Sequence, residues 1–125
     1  TNLTYLWMDS MNLTGEIPEA FSNLTELTTL SLVSNRLNGS IPAWVWQHQK
    51  LQYIYLFDNG LSGELTPTVT ASNLVDIDLS SNQLTGEIPE DFGNLHNLTL
   101  LFLYNNQLTG TIPPSIGLLR QLRDI

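Results

Sequence analysis

Leucines recur along this chain at a nearly constant interval. Aligned on Leu3, Leu27, Leu51, Leu74, Leu98 and Leu122, successive units are 24, 24, 23, 24 and 24 residues long. A unit this short cannot bury its own apolar face, so it must stack on its neighbours and form an elongated array. The expected organisation is one array over residues 1–125. Its units are 3–26, 27–50, 51–73, 74–97 and 98–121, and a sixth begins at 122. Residue 1 already lies inside a unit, so the chain reads as an uncapped internal stretch of a longer array.

Each unit opens with the pattern L-x-x-L-x-L, whose alternation marks a short strand. Leu6 and Met8, Leu30 and Leu32, Ile54 and Leu56, Ile77 and Leu79, and Leu101 and Leu103 are expected to point inward. Stacking would pair these strands in parallel, about 4.8 Å apart. Two residues after each strand's last leucine position comes a bend. Its asparagine column is Asn35, Asn59, Asn82 and Asn106, with Met11 in that place in the first unit. An amide side chain has two donors and two acceptor lone pairs for backbone groups left open at the bend. The stacked copies are expected to form a ladder, with an imperfect bend at Met11. On the opposite side run Phe21, Val45, Val69, Phe92 and Ile116, then Leu24, His48, Leu95 and Leu119. His48 stands where a leucine is expected and reads as an edge residue. Unit 51–73 is one residue short and carries LTPTVTASN, which predicts an irregular convex segment near Pro67. Trp44 and Trp46 flank Val45 and are expected to pack on a neighbouring repeat.

The segments TGEIP, NGSIP, TGEIP and TGTIP follow the bends of four units, and unit 3 has SGELT. Combined with L-x-x-L-x-L-x-x-N-x-L, they make the whole chain resemble the plant-specific leucine-rich repeats. These occur in receptor-like kinases, receptor-like proteins and polygalacturonase inhibitors. The resemblance implies a strand-rich solenoid of the α/β class, a right-handed superhelix with a parallel sheet on its concave face. It also implies a second, shorter sheet after the glycine of each signature. Gly15, Gly39, Gly63, Gly86 and Gly110 fit a need for positive φ or close backbone approach. A narrower likeness, carried by LTYLWMDSMNLTGEIPE, LQYIYLFDNGLSGEL and NLVDIDLSSNQLTGEIPEDFGNL, is to the middle repeats of HAESA-like receptor kinases. It implies a secreted peptide ligand, often hydroxylated on proline, and a co-receptor kinase as second partner. That family reads a ligand carboxylate with Arg-x-Arg on a late repeat, and no strand here carries that pair.

Twelve acids against four bases give a formal charge of −8, which excludes nucleic acid as a partner and direct contact with an anionic membrane. No cysteine is present, so neither thiolate nor disulfide chemistry arises. No run reaches the ~18–20 apolar residues of a membrane span. Five N-x-[ST] sequons, at Asn2, Asn12, Asn23, Asn38 and Asn97, fit secretion to the extracellular side of the plasma membrane. Two or three are expected to carry glycans, and Asn23 is expected to be held in turn hydrogen bonds.

Alternation also names the outward strand positions. They are Tyr5, Trp7 and Asp9; Thr29, Ser31 and Val33; Tyr53, Tyr55 and Phe57; Asp76, Asp78 and Ser80; and Leu100, Phe102 and Tyr104. Seven of these fifteen are aromatic, whereas aromatics make up 9% of the chain. The scaffold does not need rings there, and a recognition surface does. The expected ligand-binding set is Tyr5, Trp7, Asp9, Tyr53, Tyr55, Phe57, Asp76, Asp78, Phe102 and Tyr104. An extended peptide would lie across the strands, its side chains against the rings and its donors on Asp76 and Asp78. Five strands span roughly 20–25 Å, or about six to seven extended residues, so this stretch holds only part of a longer peptide.

Asp76 and Asp78 lie on one strand face with no acid facing them across a cleft, so they do not form a glycosidase pair. No zinc-protease, nucleophile-elbow or P-loop motif occurs, and neither cofactor nor metal is expected. The reading is a binding module, with any kinase domain of the parent outside this chain. The alternative is a polygalacturonase-inhibitor-like protein that binds a cell-wall hydrolase. A third reading, a purely structural adhesion module, predicts no small ligand.

Overall fold

The computed structural model describes residues 2–123. The expected array therefore lies within the described residues except at positions 1, 124 and 125. Five strands, β1 (Tyr5–Trp7), β3 (Thr29–Ser31), β5 (Tyr53–Tyr55), β7 (Asp76–Asp78) and β9 (Leu100–Phe102), form one parallel sheet in that order. Equivalent positions pair across it: Leu6 with Leu30, Leu30 with Ile54, Ile54 with Ile77, and Ile77 with Leu101. The alternation thus places the expected inward leucines in the core. The central ones are fully buried, and Leu6, Met8 and Leu103 are partly buried.

The second sheet exists, but its strands overlap or precede the signature glycine rather than follow it. They are β2 (Thr14–Gly15), β4 (Arg36–Leu37), β6 (Ser62–Glu64), β8 (Gln83–Glu87) and β10 (Gln107–Thr109). They fall into two patches, β2 with β4, and β6 with β8 and β10. Here pairing is offset by two residues per repeat, as Thr14 meets Arg36 and Thr85 meets Gln107. All five signature glycines have positive φ, between 74° and 82°. At Gly86 a Cβ would also stand 2.7 Å from Cγ of Glu64 in the preceding repeat.

The asparagine column bonds to backbone rather than to itself. Asn82 Oδ1 accepts from Leu61 N at 3.1 Å, while its Nδ2 donates to Leu56 O at 3.0 Å and Leu79 O at 3.1 Å. Asn59 and Asn106 repeat the scheme. Each amide therefore ties its own bend to the preceding one. Asn35 serves the first unit, accepting from both Met11 N and Leu13 N at 3.0 Å. There the bend carries two left-handed residues, Ser10 and Asn12, whereas the other bends carry one each: Ser34, Asp58, Ser81 and Asn105.

The convex side is built from 3-10 segments at Glu19–Asn23, Ala43–Gln47, Glu90–Asn94 and Pro114–Leu118. Each follows a proline that fixes φ near −60° and whose carbonyl accepts the first i→i+3 bond, as in Phe21 N to Pro18 O at 3.2 Å. Unit 3 has Thr66 where the others have this proline, is one residue short, and forms no such segment. Its chain has a bend at Pro67 and no regular structure after it, with Thr70 N and Ala71 N both donating to Trp46 O. Trp46 fills the vacated space: it is fully buried and its ring lies 5.5 Å from Phe92, two repeats away. The packing expected of the tryptophans is thus present, complete for Trp46 and partial for Trp44.

His48 has a definite structural role. In the other repeats the residue at this place, a leucine or in unit 3 Ala71, offers its carbonyl to the next unit, as in Leu98 N to Leu95 O and Leu74 N to Ala71 O. In unit 2 the ring does so instead. Its Nδ1 accepts from Lys50 N at 3.1 Å and Leu51 N at 3.2 Å, so the proton sits on Nε2, which donates to Leu24 O at 2.9 Å.

Candidate functional site

The concave sheet displays two lateral rows of side chains. One is Tyr5, Thr29, Tyr53, Asp76 and Leu100, and the other is Trp7, Ser31, Tyr55, Asp78 and Phe102. Size alternates along both: large on β1, small on β3, large on β5, short and acidic on β7, large on β9. Parallel pairing in strict register turns this alternation into troughs that run along the strands bearing small side chains. A cavity of about 400 Å³ lies over β3, lined by Tyr5, Trp7, Thr29, Tyr53 and Tyr55. Its walls stand two strand spacings apart, about 9.6 Å, which accepts one side chain in contact with rings on both sides.

The walls differ in character. Tyr5 and Trp7 are 66% and 71% exposed. Tyr53 and Tyr55 are half-buried and stacked, with ring centroids 6.4 Å apart and planes 16° from parallel. The Tyr55 hydroxyl donates to Asp76 Oδ2 at 2.6 Å, so the ring reaches toward β7 and away from the β3 floor. Burial pushes the Tyr55 phenol well above its usual range. The hydrogen bond to Asp76 and repulsion from Asp76, Tyr53 and Asp78 act in the same direction.

Several outward strand residues are less free than alternation implies. Thr29 and Ser31 occupy outward positions yet are buried, because the flanking rings rise above them. Asp78 is only 9% exposed, and its Oδ1 accepts from Ser80 Oγ at 2.7 Å and Ser80 N at 3.1 Å. One of its oxygens therefore braces the chain at the end of its own strand. Asp9 is similarly engaged, accepting from Ser31 Oγ at 2.7 Å and Val33 N at 2.8 Å. Asp76 is partly exposed; it takes the Tyr55 hydroxyl on one oxygen and Thr99 Oγ1 on the other at 3.1 Å. A carboxylate has about four lone-pair sites, so Asp76 retains acceptor capacity.

The structure brings Tyr5, Trp7, Tyr53 and Tyr55 around one trough, with Asp76 behind it. Phe102 and Tyr104 form a separate tilted pair with centroids 5.7 Å apart, two strands beyond β5. Phe57 lies past the end of β5 and does not line the trough. The floor residues Thr29 and Ser31, and Thr99 behind Asp76, were not among the expected site residues. The signal for the floor was present: two small side chains at outward positions between two aromatic pairs.

All five sequon asparagines are exposed, and none of their side chains makes a hydrogen bond among the described residues. This corrects the expectation for Asn23, which is not held in the turn. No group of His, Cys, Asp and Glu among the described residues is arranged to hold a metal ion. No helix among the described residues is long and apolar enough to cross a membrane.

Comparison with known proteins places this geometry. A family model described as Leucine rich repeat matches residues 1–61, and a second, described as Leucine Rich Repeat, matches residues 73–95 and 97–119. Receptor-like protein 52 of Arabidopsis thaliana is 47% identical over 74 residues, covering 58% of this chain and 9% of that protein. The chain thus spans about a tenth of the length of the curated relatives it matches. The plant peptide hormone receptor RGFR1, solved in complex with RGF2, superposes with a TM-score of 0.94 at 38% identity over all of this chain and 20% of its own. The Arabidopsis receptor kinase HAESA, solved with the peptide hormone IDA and the co-receptor SERK1, gives 0.91 at 41% identity over 96% of this chain and 20% of its own. With its repeat period, its register and its concave parallel sheet, this chain belongs to the leucine-rich-repeat family and shares the fold of plant receptor ectodomains.

Proposed function

We propose that this chain is a ligand-recognition segment of a plant receptor ectodomain on the extracellular side of the plasma membrane, and that it binds a secreted peptide on its concave face. The observation that carries the reading is the trough walled by Tyr5, Trp7, Tyr53 and Tyr55 over the small floor of Thr29 and Ser31. Rings on both sides of a narrow gap grip an aliphatic or proline-like side chain by apolar contact. Asp76, partly exposed beside the trough, takes a backbone N–H or hydroxyl of the same ligand. The peptide complexes of RGFR1 and HAESA support a peptide as the ligand class, and the SERK1 complex supports a co-receptor kinase as second partner. The narrower place in the HAESA-like group rests on the 41% identity. Binding is the role of this segment; catalysis belongs to any domain the parent carries elsewhere.

The test is calorimetric titration of the secreted full chain with synthetic hydroxyproline-bearing peptides. Saturable binding is expected, weakened at least fivefold, or about 1 kcal/mol, by Trp7→Ala or Tyr53→Ala. Unchanged affinity in both variants removes the trough as the binding face.

A further inference from the structure

A second cavity, of about 280 Å³, opens on the convex side between the first two repeats. Ser22 and Thr25 line it from unit 1, and Trp44, Gln47, His48 and Gln49 line it from unit 2. At roughly 30 Å³ per water this is space for about nine waters, close to the size of one monosaccharide. The lining suits a sugar. Trp44 offers an aromatic surface, half-buried, with its ring 6.2 Å from that of His48. Gln47 and Gln49 supply amides, and Ser22 and Thr25 supply hydroxyls, for the hydrogen bonds a sugar needs. The His48 ring is fixed at both nitrogens and forms a rigid wall.

Asn23 lies between two of these lining residues, Ser22 and Thr25. It is exposed, its amide makes no hydrogen bond among the described residues, and Asn23-Leu24-Thr25 is a glycosylation sequon. It alone among the five sequon asparagines has lining residues of this cavity on both sides of it in the chain. We propose that Asn23 carries an N-linked glycan and that the first N-acetylglucosamine is seated in this cavity against Trp44. In the coupling step a bond forms between Asn23 Nδ2 and the sugar C1. The C1–O bond of a polyprenyl-pyrophosphate-linked oligosaccharide breaks, the polyprenyl pyrophosphate leaves, and the amide nitrogen loses one proton. The seated sugar closes the convex seam between units 1 and 2 with a covalently tethered plug. The concave trough stays bare, since no sequon asparagine lies on the concave strands.

The experiment uses the full chain secreted from a glycosylating plant host. Glycopeptide mass spectrometry reads occupancy of each sequon, and a peptide-N-glycosidase time course on the native protein reads release at each. A glycan on Asn23 is expected, released roughly tenfold more slowly than those at the other occupied sequons. Trp44→Ala should bring its release to the rate of the others. Gln47→Ala, at an exposed position, should shorten the delay and keeps the test open if Trp44→Ala does not fold. An unmodified Asn23, or release at the common rate in the unsubstituted chain, overturns the proposal.

Discussion

The Tyr55 hydroxyl donates a 2.6 Å hydrogen bond to Asp76 Oδ2, which links one wall of the concave trough to the next strand. The bond spans two adjacent repeats, so the ring is positioned by the stacking of the array rather than by its own strand. Asp76 is in turn held by Thr99 Oγ1 from the repeat beyond. Three successive units thus fix the position of one ring.

That relationship has a signature at high pH. Burial and the neighbouring carboxylates raise the Tyr55 phenol above its ordinary value, so the folded chain holds that proton more tightly than the unfolded chain. Stability from this group is intact below about pH 10, the unfolded value, and falls as pH rises toward the folded one. Ultraviolet phenolate titration should show the Tyr55 phenol ionising above the ordinary tyrosine range. Asp76→Asn should reduce that elevation without abolishing it, because burial is the first cause and remains. An elevation untouched by the substitution would show that Asp76 does not act on the ring.

The asparagine column predicts a sharp contrast between two chemically identical residues. Asn82→Ala leaves Leu61 N and the carbonyls of Leu56 and Leu79 without their amide partner. The expected cost is about 1–3 kcal/mol in urea denaturation. Asn94 is exposed and makes no side-chain hydrogen bond among the described residues. Asn94→Ala should change stability by less than about 0.5 kcal/mol. Equal effects would contradict the bonding scheme.

Trp46 compensates for the short third repeat. Trp46→Ala should cost about 3–5 kcal/mol by opening a cavity beneath the segment that has no 3-10 turn. Trp46 Nε1 is buried with no hydrogen-bond partner, so Trp46→Phe removes an unpaired donor while keeping most of the volume. Thermal melts should rank unsubstituted, Phe and Ala in that order, with Phe nearer the unsubstituted chain. A Phe variant as unstable as Ala would refute the volume argument.

Two glycines separate backbone strain from contact. Gly15 has φ +82° and open space within 4 Å of where a Cβ would stand, whereas Gly86 has φ +79° and Glu64 in the way. Gly15→Ala should cost about 1–2 kcal/mol for the left-handed conformation alone. Gly86→Ala should cost more, and adding Glu64→Ala should remove the excess. Identical costs in chemical denaturation would mean that the Glu64 contact carries no energy.

The fold was legible in the residues because a solenoid repeats one local decision. Leu30, Ile54 and Ile77 are inward for the same reason in each unit, and the period announces it. The signature glycines and the asparagine column were legible too, since each answers a requirement of one bend. Departures from the period were visible as well, at Met11, His48 and the short third unit. What filled them was not. Trp46 reaches Phe92 two repeats away. The His48 ring replaces a carbonyl that only the neighbouring coil defines. Asp78 looked free from alternation, yet it is 9% exposed and its Oδ1 is taken by Ser80.

Sequence alone determined which faces are core and which are free, because strand alternation and repeat length are local properties. Tertiary structure decided which free side chains meet, because that depends on lateral register between units. Tyr5, Trp7, Tyr53 and Tyr55 come from the first and third units and border one cavity only once parallel strands align them.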